Sequence, residues 1–375
     1  MEVKEYTLNE LLPYEQPGAY IVESTDYNDA YKTPVLTAGK TFILGYTNET
    51  DGIFDRLPVI IFDDFTTASQ YVNFKFKVKS SAMKILNINT ELVLPKYIYY
   101  RMQVINIDHS THKRYWIQQY SKLKIKVPPI PEQQRIVSRI EELFSSLDNA
   151  VETLNKTKEL LTVYRQAVLK EAFGKLTKKK RIKEVSNFVT SGSRGWAKYY
   201  NGTGARFIRI TDLTRDDITL KNDNIQHVKL PENAEGKRSR LIGNDVLVSI
   251  TADLGSIALI PENIQEAYIN QHIAMIRFNN PMQGKFMAWY LKSNYGQKDL
   301  LKNKRGGGKL GLGLDDIRDT LVPIVDDEEA MMTVKQIDAR LSACDNIKNS
   351  IDVIQKQAEA MRQSILKEAF EGRLK

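Results

Sequence analysis

Residues 131–173 of the chain read PEQQRIVSRIEELFSSLDNAVETLNKTKELLTVYRQAVLKEAF, a stretch with no glycine and with proline only at its first position. Its apolar side chains recur in steps of three or four, or their sum: Ile136, Ile140, Leu143, Leu147, Ala150, Leu154, Leu161, Tyr164 and Val168. That spacing is typical of a coiled-coil seam. The stretch predicts one helix, which at about 1.5 Å per residue is on the order of 60 Å long. A single helix cannot bury such a seam against itself, so it needs a partner.

The partner is predicted in the same chain, because residues 327–371 carry a second seam. Its apolar members are Ile337, Leu341, Cys344, Ile347, Ile351, Ile354, Ala358, Met361 and Ile365. Short words recur at an offset of 197 residues: Asp148-Asn149 as Asp345-Asn346, Arg165-Gln166 as Arg362-Gln363, and Leu169-Lys170-Glu171-Ala172-Phe173 as Leu366-Lys367-Glu368-Ala369-Phe370. We infer a tandem duplication of the form globule, long helix, globule, long helix.

Length and composition exclude several classes of protein. A chain of 375 residues, 42% of them hydrophobic, has room for two or three domains with real cores. No apolar run approaches the roughly eighteen residues of a membrane span, and Met1–Glu5 lacks signal-peptide character. One cysteine excludes an internal disulfide framework, and with only four histidines a structural zinc site is not expected. These features favour a cytoplasmic chain without a metal.

The charge distribution points first to nucleic acid. The net charge is +8 and the pI about 9.1, a level at which a solvated basic surface is about equally common. Cations cluster after the first long helix, at Lys175, Lys178, Lys179, Lys180, Arg181 and Lys183, and around Gly306–Gly308, at Lys302, Lys304, Arg305 and Lys309. The stretch 175–183 is interpreted as a basic linker, either a solvated connector or a phosphate contact.

Four segments are predicted: a first globule (1–130), the central long helix (131–177), a second globule (178–322) and the C-terminal long helix (323–375). Both globules are expected to be mixed α/β, in an α+β chain. The pattern predicts a buried strand at 59–62, a half-exposed strand at 71–78 with its lysines outward, and a short helix at 95–102.

In the second globule it predicts a hairpin (246–251 and 257–261, with its tip at 252–256), a strand at 272–278, and a helix at 284–291 that parallels 95–102. The helices repeat almost word for word, whereas the globules keep an outline and change their content. That contrast predicts a common frame that carries two different readers.

The constellations that catalysis requires are not found in the sequence. The glycine-rich stretch Asn303–Leu310 departs from a P-loop, and Glu235-Gly236-Lys237 has no acidic partner at a nuclease spacing. The Pro-Pro stretch of amino-methyltransferases and the Gly-x-Ser-x-Gly elbow are missing as well. The chain is therefore predicted not to be an enzyme.

Binding chemistry is better represented. Lys and Arg neutralise phosphates, while amides and hydroxyls reach base edges. The candidate DNA-binding residues of the first globule are Lys40, Thr66, Thr67, Lys79, Ser80, Ser81, Lys113 and Arg114. Those of the second are Ser191, Ser193, Arg194, Arg209, Thr251, Asn270, Gln271, Lys304, Arg305 and Lys309. For any one of them, a solvated or structural role is as strong an interpretation as a DNA contact.

With these residues in view, the chain resembles the specificity (S) subunit of type I restriction-modification systems over its whole length. The segments that carry the resemblance are 127–137 and 169–176 around the central helix, 365–374 at the C-terminus, 35–40 and 62–67 in the first globule, and 245–250 and 270–274 in the second. The words in the helices are the more specific. The second helix departs from the pattern, because Asp326–Glu329 stands in place of Pro-Glu-Gln-Gln.

The resemblance implies two target-recognition domains joined by two long antiparallel coiled-coil helices with pseudo-two-fold symmetry. Each domain would read one half of a split, asymmetric site in double-stranded DNA. The helices would dock two modification subunits, which bind S-adenosylmethionine and methylate adenine, and restriction (motor) subunits would complete the complex. The chain itself would bind no cofactor.

The outer face of the first long helix offers candidate docking charges: Glu132, Arg135, Arg139, Glu142, Lys156 and Lys158. Ordinary solvated charges are an equally strong interpretation of them. Two alternatives to the main hypothesis stay open. One is the same fold in another phage-defence methylation system, and the other is a coiled-coil scaffold with two globules that bind ligands other than DNA.

Overall fold

The computed structural model describes residues 3–39, 41–107, 114–232, 237–302 and 311–374. The chain divides into two compact units, Met1–Leu154 with Val353–Lys375, and Asn155–Asp352. None of the described helices is long and apolar enough to cross a membrane.

The first unit contains a small α/β globule in front of the first long helix. Its elements are β1 (Lys4–Thr7), α1 (Leu8–Leu11), β2 (Tyr14–Glu15), β3 (Thr33–Leu36), β4 (Ile43–Thr47), β5 (Val59–Asp63), β6 (Ser69–Val72), β7 (Lys77–Val78), β8 (Met83–Asn87), α2 (Pro95–Met102), α3 (Tyr115–Gln118), β9 (Lys124–Val127) and the long helix α4 (Ile130–Phe173), which continues into the second unit. The main sheet has the order β2-β8-β5-β6, a smaller one the order β4-β3-β7, and β1 pairs with β9.

Strand β5 is buried on both faces, which explains its uninterrupted apolar run. Ile60 and Phe62 pack with the helices on one face, and Val59 and Ile61 pack on the other face with Val78 of the small sheet. A strand covered on both sides loses the alternation of a half-exposed strand.

The second unit is built in the same way. Its elements are β10 (Lys179–Arg181), α5 (Ile182–Val185), β11 (Ser186–Ser191), β12 (Tyr200–Asn201), β13 (Ala205–Ile208), β14 (His227–Val228), β15 (Val246–Ser249), β16 (Ile257–Leu259), β17 (Ala267–Ile269), β18 (Ile273–Phe278), α6 (Gly284–Lys292), α7 (Asn294–Leu300), α8 (Leu314–Arg318), β19 (Leu321–Pro323) and the long helix α9 (Asp327–Phe370), whose end belongs to the first unit. Its sheets have the orders β11-β18-β15-β16 and β12-β14-β13-β17, and β10 pairs with β19.

The two units share one topology. In each main sheet the second and third strands pair with antiparallel neighbours, and each smaller sheet contains one parallel pair, β3 with β7 and β13 with β17. Among the described strands, the second unit adds only β12 to the smaller sheet. The predicted common frame is therefore confirmed at the level of strand order, although few residues repeat between the globules.

The two long helices are 44 residues each and begin and end 197 residues apart, as the repeated words predict. Their contacts with the globules repeat too. In the first unit Lys96 of α2 pairs with Glu141, and Phe370 packs against Tyr97.

In the second unit Lys285 of α6 pairs with Asp338 at 2.5 Å, and Phe173 packs against Phe286. Glu141 and Asp338, like Phe173 and Phe370, are separated by the repeat offset. Each globule is thus fixed to both long helices by the same two kinds of contact.

An arginine–aspartate pair between the long helices also recurs. Arg362 donates to Asp148 in the first unit, and Arg165 Nη1 donates to Asp345 Oδ1 at 2.6 Å in the second. Since Arg165 and Arg362, and Asp148 and Asp345, are both separated by the repeat offset, one pair is the image of the other under the duplication.

Three predictions need correction. Residues 71–78 do not form one strand with outward lysines: β6 ends at Val72, and Lys77 is only 4% exposed because it pairs with Glu49 at 2.7 Å. The segment 175–183 is more than a linker, since Lys179–Arg181 pairs with Leu321–Pro323.

The seam, finally, is not buried along its whole length. Its exposed members are Ala150, Tyr164, Ile347, Ile354 and Met361. Seam residues are most deeply buried where a globule packs against both long helices, as at Ile140 and Val168.

Candidate nucleic-acid interface

In the first unit three loops meet at one edge of the main sheet. They are the β5–β6 turn (64–68), the β7–β8 connection (79–82) and the residues entering α3 (114–116). The backbone N–H of Asp64 donates to the Ala82 carbonyl (3.1 Å), and the Tyr115 N–H donates to the Asp64 carbonyl (3.0 Å). We call this set the first three-loop edge.

The first three-loop edge collects most of the predicted binding residues of its globule. Thr66 and Thr67 lie on the turn, Lys79, Ser80 and Ser81 on the connection, and Arg114 at the entrance to α3. Lys40 and Lys113 lie outside the described residues. Among its described residues the edge offers two exposed cations, Lys79 and Arg114, beside four hydroxyls, a combination that suits phosphate and base contacts.

A buried ion pair supports the turn from below. Asp64 and Lys84 are almost completely buried, with Oδ2 and Nζ 3.4 Å apart. Asp64 Oδ1 accepts from the Trp116 N–H (2.8 Å), and Lys84 donates to Gln16 (3.2 Å). Removing one partner of such a pair leaves a buried charge without compensation, so the pair fixes the geometry of the turn.

The second unit has an equivalent edge. The β15–β16 tip (250–256), the β17–β18 connection (270–272) and residues 311–312 before α8 form the second three-loop edge. The Ile250 N–H donates to the His272 carbonyl (2.9 Å), and the Leu312 N–H donates to the Ile250 carbonyl (2.9 Å). These bonds correspond to those of Asp64, so Ile250 occupies the same place in its unit.

A short polar chain crosses this second edge. The Gln271 amide nitrogen lies 3.0 Å from His272 Nε2, and Thr251 Oγ1 lies 2.6 Å from His272 Nδ1, so both ring nitrogens are within hydrogen-bond distance of a neighbour. Asn270 Oδ1 accepts from the His272 N–H (3.1 Å). Thr251, Asn270 and Gln271 were predicted from the sequence, whereas His272, which orients them, was not.

The end of β11 joins the same edge. Ser193 forms a parallel bridge with Asn270, and Ser191 lies opposite Ala274. This approach requires Gly192, because a Cβ there would lie 1.9 Å from the Ile269 carbonyl oxygen. Arg194 is exposed beyond it. Lys304, Arg305 and Lys309 lie outside the described residues.

Arg209, which was also predicted to bind DNA, makes contacts within its own globule. Its Nη2 donates to the Asn224 carbonyl (2.7 Å) and to Asp212 Oδ1 (3.4 Å), and its side chain is only 24% exposed. The guanidinium therefore holds the loop before Asn224 in place.

The tip of the second edge is tied back toward the long helices by Arg215, which pairs with Asp253. Burial acts to raise the pKa of Asp253, but hydrogen bonds from Arg215 and Ser256 outweigh it and lower the pKa. The loop that carries Arg215 is held by Lys292, which donates to the Thr214 carbonyl (2.7 Å), and by Arg165, which donates to the Asp216 carbonyl (3.0 Å). Burial lowers the pKa of Lys292 to about 8.

Comparison with known proteins identifies the family of the chain. The model of the type I restriction modification DNA specificity domain matches residues 1–162 and 175–360. The chain belongs to that family. The resemblance inferred from the sequence is therefore confirmed at the level of the family.

Two curated members of the specificity family are similar in sequence. The EcoR124I/EcoR124II specificity subunit of Escherichia coli is 38% identical over 239 residues, which cover 60% of this chain and 59% of the relative. The EcoBI specificity subunit of Escherichia coli is 24% identical over 281 residues, which cover 67% of this chain and 58% of the relative. The chain thus spans less than two thirds of the length of these relatives.

Two solved structures share the fold. A chain from a study of complex assembly and conformational transition of the type I R-M system has a TM-score of 0.71 at 16% identity, over 99% of this chain and 98% of that chain. The HsdS subunit from Thermoanaerobacter tengcongensis has a TM-score of 0.56 at 16% identity, over 99% and 97%.

The charges predicted for docking in this specificity-family chain mostly pair along α4. Arg135 pairs with Glu132 (2.7 Å) and Arg139 with Glu142 (2.8 Å), and the hydrogen bond from Arg135 lowers the pKa of Glu132. Lys156 is exposed. Lys158 does not belong with them, because it pairs with Asp352 of α9 at 2.5 Å and so lies against the partner helix.

An apolar side chain that was not among the predicted candidates also lies on one of the edges. Phe65 lies on the first three-loop edge and is 56% exposed. The sequence feature that could have indicated this residue is a phenylalanine inside the turn-rich stretch 63–68. Among the described residues, no group of three or more His, Cys, Asp or Glu side chains could hold a metal ion.

Proposed function

We propose that this chain is the DNA-sequence-recognition subunit of a type I restriction-modification complex. Each three-loop edge reads one half of a split, asymmetric site in double-stranded DNA. The observation that carries the proposal is the pair of equivalent edges, whose backbone bonds match while their side chains differ. Two readers on one frame suit a site whose halves differ in sequence.

The edges have the chemistry that DNA reading requires. Lys79, Arg114 and Arg194 are exposed cations that position phosphates, and the hydroxyls and amides between them reach base edges. The net charge of +8 supports association with a polyanion.

The long helices act as a spacer and a docking surface. We propose an antiparallel coiled coil with pseudo-two-fold symmetry, and the two arginine–aspartate pairs related by the repeat support it. At about 1.5 Å per residue, each helix is under two turns of B-DNA long, at roughly 34 Å per turn. Exposed charges of α4 would dock two modification subunits that carry S-adenosylmethionine and methylate adenine.

Restriction (motor) subunits complete the proposed complex, which works in the cytoplasm. The chain itself binds no cofactor and performs no catalysis. The named relatives, which are specificity subunits of type I restriction enzymes, support this assignment.

Methylome sequencing tests the proposal. The full chain is expressed with its modification subunit, as wild type, as Lys79→Ala/Ser80→Ala and as Ser193→Ala/Gln271→Ala. We expect the first variant to relax one half-site and the second to relax the other. Lys124→Ala, on the exposed side of β9, is the matched control and should keep both half-sites.

Two results would contradict the proposal. If both variants change the same half-site, the edges do not read separate halves. If the complex shows no salt-dependent affinity for duplex DNA and no methyltransferase co-purifies, the scaffold alternative is favoured.

A further inference from the structure

Phe65 is an apolar side chain displayed on a polar turn. It is 56% exposed, and its neighbours on the turn are Asp64, Thr66 and Thr67. A single exposed apolar residue needs no explanation by itself. The surroundings of Phe65 supply one.

The turn is built to hold Phe65 in one position. Asp63 Oδ1 accepts from the N–H groups of both Phe65 (2.8 Å) and Thr66 (3.0 Å). Thr67 has φ +60°, a conformation that a β-branched residue rarely adopts, and its N–H donates to the Asp63 carbonyl (2.9 Å). Asp64 is fixed by the buried pair with Lys84. Such over-determined turns are typical of functional sites.

The frame does not require an aromatic side chain there. By the backbone bonds of Asp64 and Ile250, the residue that corresponds to Phe65 in the second unit is Thr251, whose hydroxyl is bonded to His272. The second turn is stable with a small polar residue at this place. The phenyl group of Phe65 therefore serves something outside the fold.

The first three-loop edge suggests what that is. The turn joins β5 and β6, an antiparallel pair at the edge of the sheet, and a two-stranded ribbon of this kind fits the major groove of B-DNA. The cations Lys79 and Arg114 lie on the neighbouring loops, where they would hold phosphates on either side.

We infer that Phe65 is a specificity-determining residue that contacts the C5-methyl group of a thymine in the half-site read by the first unit. Apolar contact with that methyl group is the way a phenyl ring distinguishes a base in the major groove. The flanking hydroxyls of Thr66 and Thr67 favour edge reading over insertion between base pairs. The inference rests on the proposed function and adds the base that this unit selects.

The test uses the full chain assembled with its modification subunit and the duplex site that methylome sequencing defines. The half-site relaxed in Lys79→Ala/Ser80→Ala is assigned to the first unit. Each thymine of that half-site is replaced in turn by deoxyuridine, which removes only the methyl group, and affinity is measured for wild type and Phe65→Ala. Val3→Ala, at a position 53% exposed and outside the edge, is the control variant.

We expect one replacement to weaken wild-type binding about three- to fivefold, the worth of one buried methyl group. The same replacement should change the affinity of Phe65→Ala by less than about 1.5-fold, whereas Val3→Ala should respond like wild type. Phe65→Ala should bind the natural site about tenfold more weakly than wild type. Replacements in the other half-site should affect both proteins equally.

Several outcomes overturn the inference. They are a half-site without thymine, a methyl effect of equal size in Phe65→Ala, or no methyl effect at any thymine. If Phe65→Ala weakens binding while 2-aminopurine fluorescence reports unstacking, Phe65 inserts between base pairs and the methyl contact is wrong. Specific binding by wild type with an indifferent Phe65 defeats this inference alone, while no specific binding by wild type defeats the proposed function.

Discussion

In the first unit the turn at the three-loop edge carries an exposed Phe65 after a buried Asp64, whereas in the second unit Thr251 follows an apolar Ile250. Both turns are held by the same backbone bonds to the neighbouring loops. Main-chain bonds do not depend on the side chain, so the frame tolerates a change of content. The comparison indicates how one repeated strand topology can carry two edges with different side chains.

The supports behind the edges differ as well. The first unit places the ion pair Asp64–Lys84 under its turn, and the second ties its tip to Arg215 through Asp253. The first support is buried and local, while the second leads through Thr214 and Asp216 to Lys292 and Arg165. The two three-loop edges therefore depend on different residues for their position.

The largest effect is expected when a methyl group is added to a glycine beside the second three-loop edge. Gly192→Ala would place a Cβ 1.9 Å from the Ile269 carbonyl oxygen and push the end of β11 away from Asn270. We expect the second unit to lose about 3 kcal/mol or more of stability and the second half-site to go unread. Gly18, at the end of the corresponding segment after β2, has open space around it, so Gly18→Ala is the control. Urea unfolding and methylome sequencing measure both effects, and a stable, fully specific Gly192→Ala would contradict the account.

The next effect concerns the beginning of each long helix. Gln133 is buried, accepts from the Leu94 N–H (2.7 Å) and donates to the carbonyls of Pro128 (2.8 Å) and Leu92 (3.2 Å), whereas Ala330 stands at the repeat position in α9. Gln133→Leu leaves these backbone groups without partners, which should lower the free energy of unfolding by about 2 kcal/mol. Thermal unfolding should show a lower Tm.

The neighbouring glutamine of the same helical turn supplies the control for this substitution. Gln134 is exposed, so Gln134→Leu makes the same chemical change without removing a buried hydrogen bond and should leave the Tm almost unchanged. Equal losses of Tm in the two variants would show that the buried amide of Gln133 does not fix the start of α4.

Sequence patterns predicted the long helices to within a residue or two, because an apolar period repeated twice leaves little freedom. The single strand predicted at 71–78 was wrong. An alternating pattern does not reveal that Lys77 is buried in an ion pair with Glu49, which is distant in the sequence. Sequence patterns placed most of the described candidate residues on loops that the structure brings together, because polar turns are local features. They did not predict the partners of Arg209 or the exposure of Phe65, because a side chain's partners across the fold, and its exposure, cannot be read from its type.

A third difference should appear with pH. Lys292 ends α6, where burial lowers its pKa to about 8, while the equivalent place at the end of α2 is taken by the neutral Gln103, which donates to Ser69 (2.8 Å). In the unfolded chain Lys292 has its ordinary, higher pKa. Between the two pKa values the unfolded chain binds more protons than the folded protein, so the free energy of unfolding rises with pH. Part of this rise falls between about pH 7 and about pH 9. We expect the second unit of wild type to gain roughly 1 kcal/mol relative to Lys292→Met over this range. Urea midpoints at the two pH values measure it, and Gln103→Met should show no such dependence. Equal pH dependence of wild type and Lys292→Met would contradict the assignment.

The smallest effect tests whether the two arginine–aspartate pairs behave as independent copies. Asp148 is 66% exposed and Asp345 is 49% exposed, so each pair is screened by solvent and should contribute only about 0.5 kcal/mol. Asp148→Asn and Asp345→Asn should lower the free energy of unfolding by similar small amounts, with Asp345→Asn slightly the larger because its side chain is less exposed. Because the pairs share no residue, the double variant should be additive within about 0.5 kcal/mol. A double variant that loses far more than the sum would show that the copies are coupled along the long helices, and the picture of two separately held readers would then be wrong.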